Sequence, residues 1–206
     1  MSGSQKLKDG DEISQTFETT NAKELLFFTN KCQVYKTSIS AFEDSKASVL
    51  GDFIPAKLEM EDGESPVFMA LTGDYSGYMM FFFENGKVAK IDMKAYHTVT
   101  KRKKLIKAYS DKSPLSAILQ LTEDKELVII SSSGRHLLIN TAVILPKTTK
   151  DTIGVSVLTL KKGHRLMTAR EYREGEFAKP HRYKAKNLPA AGALLSNEDE
   201  EEQITF

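Results

Sequence analysis

The stretch Glu24-Leu-Leu-Phe-Phe-Thr-Asn-Lys-Cys-Gln-Val-Tyr-Lys36 recurs as Tyr78-Met-Met-Phe-Phe-Phe-Glu-Asn-Gly-Lys-Val-Ala-Lys90. It recurs again as Glu126-Leu-Val-Ile-Ile-Ser-Ser-Ser-Gly-Arg-His-Leu-Leu138. Each copy is an apolar run, a short polar turn and a second run that opens on a polar or basic residue: Gln33, Lys87 or Arg135. The pattern reads as a β-hairpin made three times. Cys32, Gly86 and Gly134 share one turn position, where a type I turn is followed by a left-handed residue. Glycine adopts that conformation without penalty, whereas Cys32 is expected to cost roughly 1 kcal/mol or more.

A second element keeps the same phase. Leu7-Lys-Asp-Gly10-Asp-Glu-Ile13 returns as Leu160-Lys-Lys-Gly163-His-Arg-Leu166, 153 positions later, three times a period of 51. The hairpins are offset by 54 and then 48, with the same mean of 51. Degenerate middle copies are expected at Leu58 to Val67 and near Tyr109 to Ile118. Four-stranded propeller blades need roughly 40 to 50 residues each, so the chain holds three periods and the start of a fourth. The segment from His97 to Tyr109 reads as a blade connection containing a helical turn, and Val155 to Leu160 reads as a strand.

Hydrophobic residues make up 40% of the 206, enough for one continuous repeat body. The sequence has no apolar run of about 18 residues and no signal-peptide stretch at its start, so no membrane contact is expected. A single cysteine, Cys32, excludes an intrachain disulfide and suits a reducing cytoplasm. It has no paired histidine for nucleophilic catalysis. Histidines 97, 136, 164 and 181 are scattered without metal-ligand spacing, and Asp9 and Asp11 flank Gly10 as turn chemistry. No nucleophile, base and metal constellation supports an enzyme acting alone. The formal charge of +1 hides an asymmetry. Setting aside the five acids from Glu198 to Glu202 leaves 23 of the 28 acidic residues against 29 basic ones, an excess of six. A basic body with an acidic tail is one design of nucleic-acid-binding proteins.

The segment Leu25-Leu-Phe-Phe-Thr-Asn-Lys-Cys-Gln-Val-Tyr-Lys36 resembles the repeated Leu-Phe-Phe-Thr-Asn-Lys-Gly-Arg-Val-Tyr-Lys of the C-terminal domain of bacterial type IIA topoisomerase A subunits, from DNA gyrase and topoisomerase IV. Gly154-Val-Ser-Val-Leu-Thr-Leu-Lys-Lys-Gly163 is similar to the family's Gly-Val-x-x-x-x-Leu-x-x-Gly. The resemblance implies an all-β fold, a propeller-like β-pinwheel of about three to four four-stranded blades, with an open arc as one form. Residues 5–172 would form the pinwheel, and residues 173–206 a C-terminal extension with an acidic tail. Family domains usually have five or six blades, so a fragment lacking an N-terminal blade is also expected. Gyrase members carry a Gln-Arg-Arg-Gly-Gly-Lys-Gly box. The equivalent slots here, Ser45 to Gly51 and Lys147 to Gly154, depart from it.

The function implied is sequence-nonspecific binding and bending of double-stranded DNA, which presents it to the cleavage core of an ATP-dependent type II topoisomerase. The segment itself would be noncatalytic and without cofactor, with ATP and Mg used on other domains or subunits. Its partners would be DNA, the ATPase subunit, and the rest of the A subunit, in the bacterial cytoplasm at the nucleoid. None of the seven tyrosines would be catalytic. A rim that binds bent duplex needs cations at blade edges, because phosphate contacts supply the affinity. Lys101, Arg102, Lys103, Lys104 and Lys107 form the densest cluster, and Lys161, Lys162 and Arg165 a second. Lys46, Lys57, Lys147 and Lys150 fall in equivalent outer connections, and Arg135 sits at a hairpin turn. Lys179-Pro-His-Arg-Tyr-Lys-Ala-Lys186 interleaves base and aromatic, as an extension of the basic track or as a strap over the last blade. The acidic tail is expected to compete with DNA for this rim. The alternative is a propeller-type interaction module whose basic loops bind an acidic protein partner.

Overall fold

The computed structural model describes residues 12–19, 24–44, 51–100 and 102–199. It separates into two compact units, Met1–Asp74 with Thr98–Ala108, and Tyr75–His97 with Tyr109–Phe206. The first unit holds one blade. Its sheet runs β3 (Pro66–Leu71), β1 (Glu24–Thr29), β2 (Val34–Ser38), β6 (Lys104–Leu105), all antiparallel. The second unit holds two more blades. One is ordered β10 (Val155–Ser156), β5 (Lys87–Asp92), β4 (Tyr78–Phe83), β7 (Leu115–Leu121). The other is ordered β11 (Leu166–Glu171), β8 (Glu126–Ser131), β9 (Arg135–Asn140), β12 (Ala193–Leu194).

The described residues therefore build three four-stranded blades, in which the repeated hairpins, β1–β2, β4–β5 and β8–β9, form the middle of each. The outer strand of each blade comes from far downstream. The chain passes through β4 and β5 before β6 closes the first blade, and through β8 and β9 before β10 closes the second. The degenerate middle copies lead into the other edge strands, Leu58 to Val67 ending in the first two residues of β3 and Tyr109 to Ile118 in the first four of β7. The helical turn expected in the 97–109 connection lies earlier, as a 3-10 turn at Met93–Tyr96, and the connection itself supplies β6. The strand expected over residues 155–160 pairs with β5 only at Val155 and Ser156, and Leu158 forms a parallel bridge to Ala190. Val157 and Leu158 instead donate their backbone N–H groups to the Gly86 carbonyl.

Continuous apolar runs suit strands covered on both faces. In the second unit Met80, Phe82 and Val88 pack against Leu127, Ile129, Leu137 and Ile139 of the neighbouring blade. The opposite face of that blade receives Phe177 and Tyr183 on Val128 and Leu138. Residues 173–199, an extension by sequence, thus contribute a strand and two buried aromatics to the third blade. In the first unit Leu25, Phe27 and Tyr35 gather Phe42, Ile54, Leu58 and Met69.

All three aligned turn residues are left-handed, Cys32 at φ 55°, Gly86 at 81° and Gly134 at 73°. Their N–H groups donate to Thr29, Phe83 and Ser131 at 3.2, 2.9 and 3.0 Å. A comparable steric demand falls on Gly154 and Gly192, which immediately precede β10 and β12, as on Gly86, whose Cβ would lie 2.3 Å from the Leu158 carbonyl oxygen. A Cβ on Gly154 would lie 2.4 Å from the Val88 carbonyl oxygen, and one on Gly192 2.5 Å from that of His136. The glycine of the Gly-Val element lets the outer strand approach its blade.

Lys90 is buried at 2% exposure. Its Nζ lies 2.5 Å from Asp124 Oδ1 and 3.2 Å from the Thr141 carbonyl oxygen, and 4.2 Å from the centre of the Tyr78 ring. Lys90, then the hydroxyl of Thr141, hold the Asp124 carboxyl below the usual aspartate range. Because the folded pKa is depressed, this stabilisation is present above the unfolded pKa of about 3.9 and is lost as pH falls through the folded value.

Cys32→Gly should be neutral or stabilising, by up to roughly 1 kcal/mol in denaturant unfolding, while Gly154→Ala should destabilise because backbone atoms block its Cβ. Asp124→Asn should lower the melting temperature at neutral pH, and the variant should lose less stability than the parent as the pH is taken below 4. Parallel melting curves for parent and variant across that range would show that Asp124 is not a source of acid sensitivity.

Candidate nucleic-acid interface

The outer flank of each blade's second hairpin strand carries a lysine, placed there by backbone pairing. The Lys103 carbonyl accepts the Lys36 N–H at 2.7 Å. The Lys147 N–H donates to the Lys90 carbonyl at 2.8 Å, and the Lys147 carbonyl accepts from Asp92 at 2.9 Å. Lys184 bridges to Leu138 in parallel. All three side chains belong to exposed residues. Lys184 is engaged by Glu126, at 2.5 Å. The sequence marks Lys184 only as part of a basic, aromatic segment. A sharper signal is its spacing to Gly192, close to that between Lys147 and Gly154.

The remaining candidates divide by environment. Lys46 and Lys101 lie outside the described residues. Arg102 and Lys107 are exposed, the latter at φ 52°, and Lys161 and Lys162 project from the exposed turn at Gly163. Lys150 is half-buried. Arg165 Nε stands 3.6 Å from Glu84. Arg135 donates from Nη1 to the Gly192 carbonyl at 2.9 Å, which ties β9 to the segment entering β12.

Lys104 is engaged within its blade. It pairs with Tyr35 across β2 and β6, its Nζ is 2.5 Å from Glu61 Oε1, and it lies 5.4 Å from the centre of the Tyr35 ring. The hydrogen bond with Glu61 raises the Lys104 pKa and lowers that of Glu61. The Tyr35 hydroxyl in turn donates to buried Glu64 at 2.8 Å, and Thr29 Oγ1 donates to the same carboxylate at 2.5 Å. Burial pushes Glu64 up, but these donors outweigh it and its pKa is lowered.

Lys57, Arg102 and Lys103, distant in sequence, meet around one cleft of about 420 Å³ in the first unit. The Lys57 Nζ is 3.3 Å from Asp52 and 5.5 Å from the Phe42 ring centre. The start of the acidic run is placed on the third blade. Asp199 is buried, accepts from Ala178 N–H at 2.8 Å and Ser196 Oγ at 2.6 Å, and receives the Tyr183 hydroxyl. Glu198 pairs with Lys179 at 3.4 Å, and residues 200–202 lie outside the described region. Among the described residues no group of His, Cys, Asp and Glu could hold a metal ion, and no helix is long and apolar enough to cross a membrane.

No protein-family model matches the chain. It is 21% identical over 175 residues to the DNA gyrase A subunit of Borrelia hermsii, covering 84% of this chain and 22% of that protein. It is 25% identical over 183 residues to the DNA gyrase A subunit of Streptomyces coelicolor, covering 84% and 21%. The chain thus spans about a fifth of the length of these relatives. Among solved structures it matches the C-terminal domain of DNA topoisomerase IV with a TM-score of 0.77 at 19% identity, over 93% of this chain and 64% of that one. It also matches the E. coli ParC C-terminal domain with a TM-score of 0.66 at 10% identity, over 93% and 84%. By sequence the chain is similar to DNA gyrase A subunits, and its fold is the β-pinwheel of the gyrase and topoisomerase IV C-terminal domains.

Lys104→Ala should lower the melting temperature, because it strips the cover from Tyr35 and removes the partner of Glu61. The double variant Arg102→Ala/Lys103→Ala should melt with the parent. Equal melting of all three proteins would remove Lys104 from the packing of the blade.

Proposed function

We propose that this chain binds and bends duplex DNA without sequence preference, as the C-terminal domain of a type II topoisomerase A subunit. The observation that carries the reading is the recurrence of Lys103, Lys147 and Lys184 on the same flank of three successive blades. A repeated cation on a repeated edge matches a ligand whose own charge repeats, and the phosphate backbone of a duplex is such a ligand. Similarity to the gyrase A subunits supports the same role. On this reading the domain presents DNA to a cleavage core carried elsewhere in the parent enzyme. ATP and Mg are then used by other domains or subunits, the partners are the ATPase subunit, and the rest of the A subunit, and the site of action is the bacterial cytoplasm. Exposed Arg102, Lys107, Lys161 and Lys162 add to the phosphate contacts, with Lys57, Lys150 and Arg165 as further contributors. Lys104 and Arg135 act by holding the blade edges in place.

The test is binding of a random-sequence duplex by anisotropy across a salt series. If five phosphates are neutralised, log affinity should fall against log salt with a slope of about −4.5. Replacing Arg102, Lys103 and Lys147 by alanine should weaken binding and flatten that slope by about one for each cation removed. Binding that ignores salt, or an acidic protein ligand held while duplex is refused, would overturn the reading.

A further inference from the structure

The three flank lysines differ in what stands beside them. Among the described residues Lys103 and Lys147 belong to no ion pair, whereas Lys184 Nζ lies 2.5 Å from Glu126 Oε1. Sheet pairing fixes both partners of that bridge. Glu126 opens β8 opposite Asn140, and its carbonyl accepts the Tyr172 N–H at 2.9 Å. Lys184 bridges to Leu138 and follows buried Tyr183, whose carbonyl accepts the Leu138 N–H at 2.9 Å. With both backbones set, the pair loses less freedom on forming than one between mobile surface segments. The second blade has no carboxylate at the matching place. The position that holds Glu126 in the third repeat holds Tyr78 in the second, and the Tyr78 ring centre sits 4.2 Å from the Lys90 ammonium.

The surroundings of Lys184 add to this difference. Glu126 and Lys184 line a cavity of about 720 Å³ in the third blade with Lys125, Glu171 and Glu174. Lys125 pairs with Glu171 at 2.9 Å. Two lysines against three carboxylates leave the lining one negative charge in excess, with both lysines matched. A phosphate that approaches Lys184 therefore meets a donor already engaged and like charge beside it. We propose that Glu126 holds Lys184 out of the duplex track, so that the flank of the third blade is closed to phosphate while Lys147 on the second stays open. This role for Glu126 rests on the function proposed above and decides which of the repeated cations make contact.

The experiment measures anisotropy of a random-sequence duplex with the full chain across a salt series, for the parent, Glu126→Gln, Lys184→Gln and the double variant. Glu126→Gln should raise affinity about threefold at about 50 mM salt and steepen the salt slope by about 0.9, as one more phosphate is engaged. The double variant should lose that gain. In the parent background Lys184→Gln should leave the slope unchanged and cost less affinity than Lys147→Gln. Glu174→Gln, which removes charge from the same cavity without freeing a lysine, should raise affinity less than Glu126→Gln does. A gain that survives in the double variant, an equal gain in Glu174→Gln, or a parent as sensitive to Lys184→Gln as to Lys147→Gln would overturn the role of Glu126 while leaving duplex binding in place. The same variant pattern with poly-glutamate, from a chain that refuses duplex, would keep the role of Glu126 and overturn the proposed function. A chain that binds neither polyanion overturns both.

Discussion

A sheet edge exposes a row of unpaired backbone donors and acceptors, and each blade resolves this by borrowing a strand from downstream. The hairpin supplies two strands and the following segment a third, but the outer flank of β2, β5 and β9 stays open until β6, β10 and β12 arrive. Those strands are only two residues long. Their seating therefore depends on how closely they approach, and Gly154 and Gly192 meet that demand where any side chain would collide with backbone. Loss of this closure would leave a hydrogen-bonding edge exposed beside the apolar strands of each hairpin.

The same device distributes charge. A strand brought in from the next connection places that connection along the blade edge, so basic residues that sequence scatters over some eighty positions, from Lys103 to Lys184, take one flank of a repeated unit. Side-chain environment then separates them. Lys104 and Arg135 are engaged in holding the edge, whereas Arg102, Lys103 and Lys147 stand exposed.

The segment beyond Tyr172 shows how a repeat ends. No further blade follows among the described residues, and the face bearing Val128 and Leu138 is covered by Phe177 and Tyr183. Asp199 secures that cover through Tyr183, Ser196 and the Ala178 amide, and burial alone would raise its pKa. The hydrogen bonds outweigh burial and its pKa is lowered. The first described aspartate of the acidic run is thus a packing residue.

Much of this was legible in the chain itself. Period, hairpins and turn conformation are local properties. An apolar run, a polar turn and a position that needs positive φ appear in consecutive residues, so the left-handed Cys32 was readable from its alignment with two glycines. Which strand completes which blade was not readable, because a two-residue strand carries no periodic signal and is defined only by the edge it meets. The Lys101–Lys104 cluster was visible as charge, but the division between Lys104 against Glu61 and exposed Arg102 and Lys103 depends on partners about forty residues away. The sequence by itself determined the repeat and the composition of its edges. Only tertiary structure decided which cations are neutralised within the fold and which face solvent, since that depends on distances between segments that the chain's order does not specify.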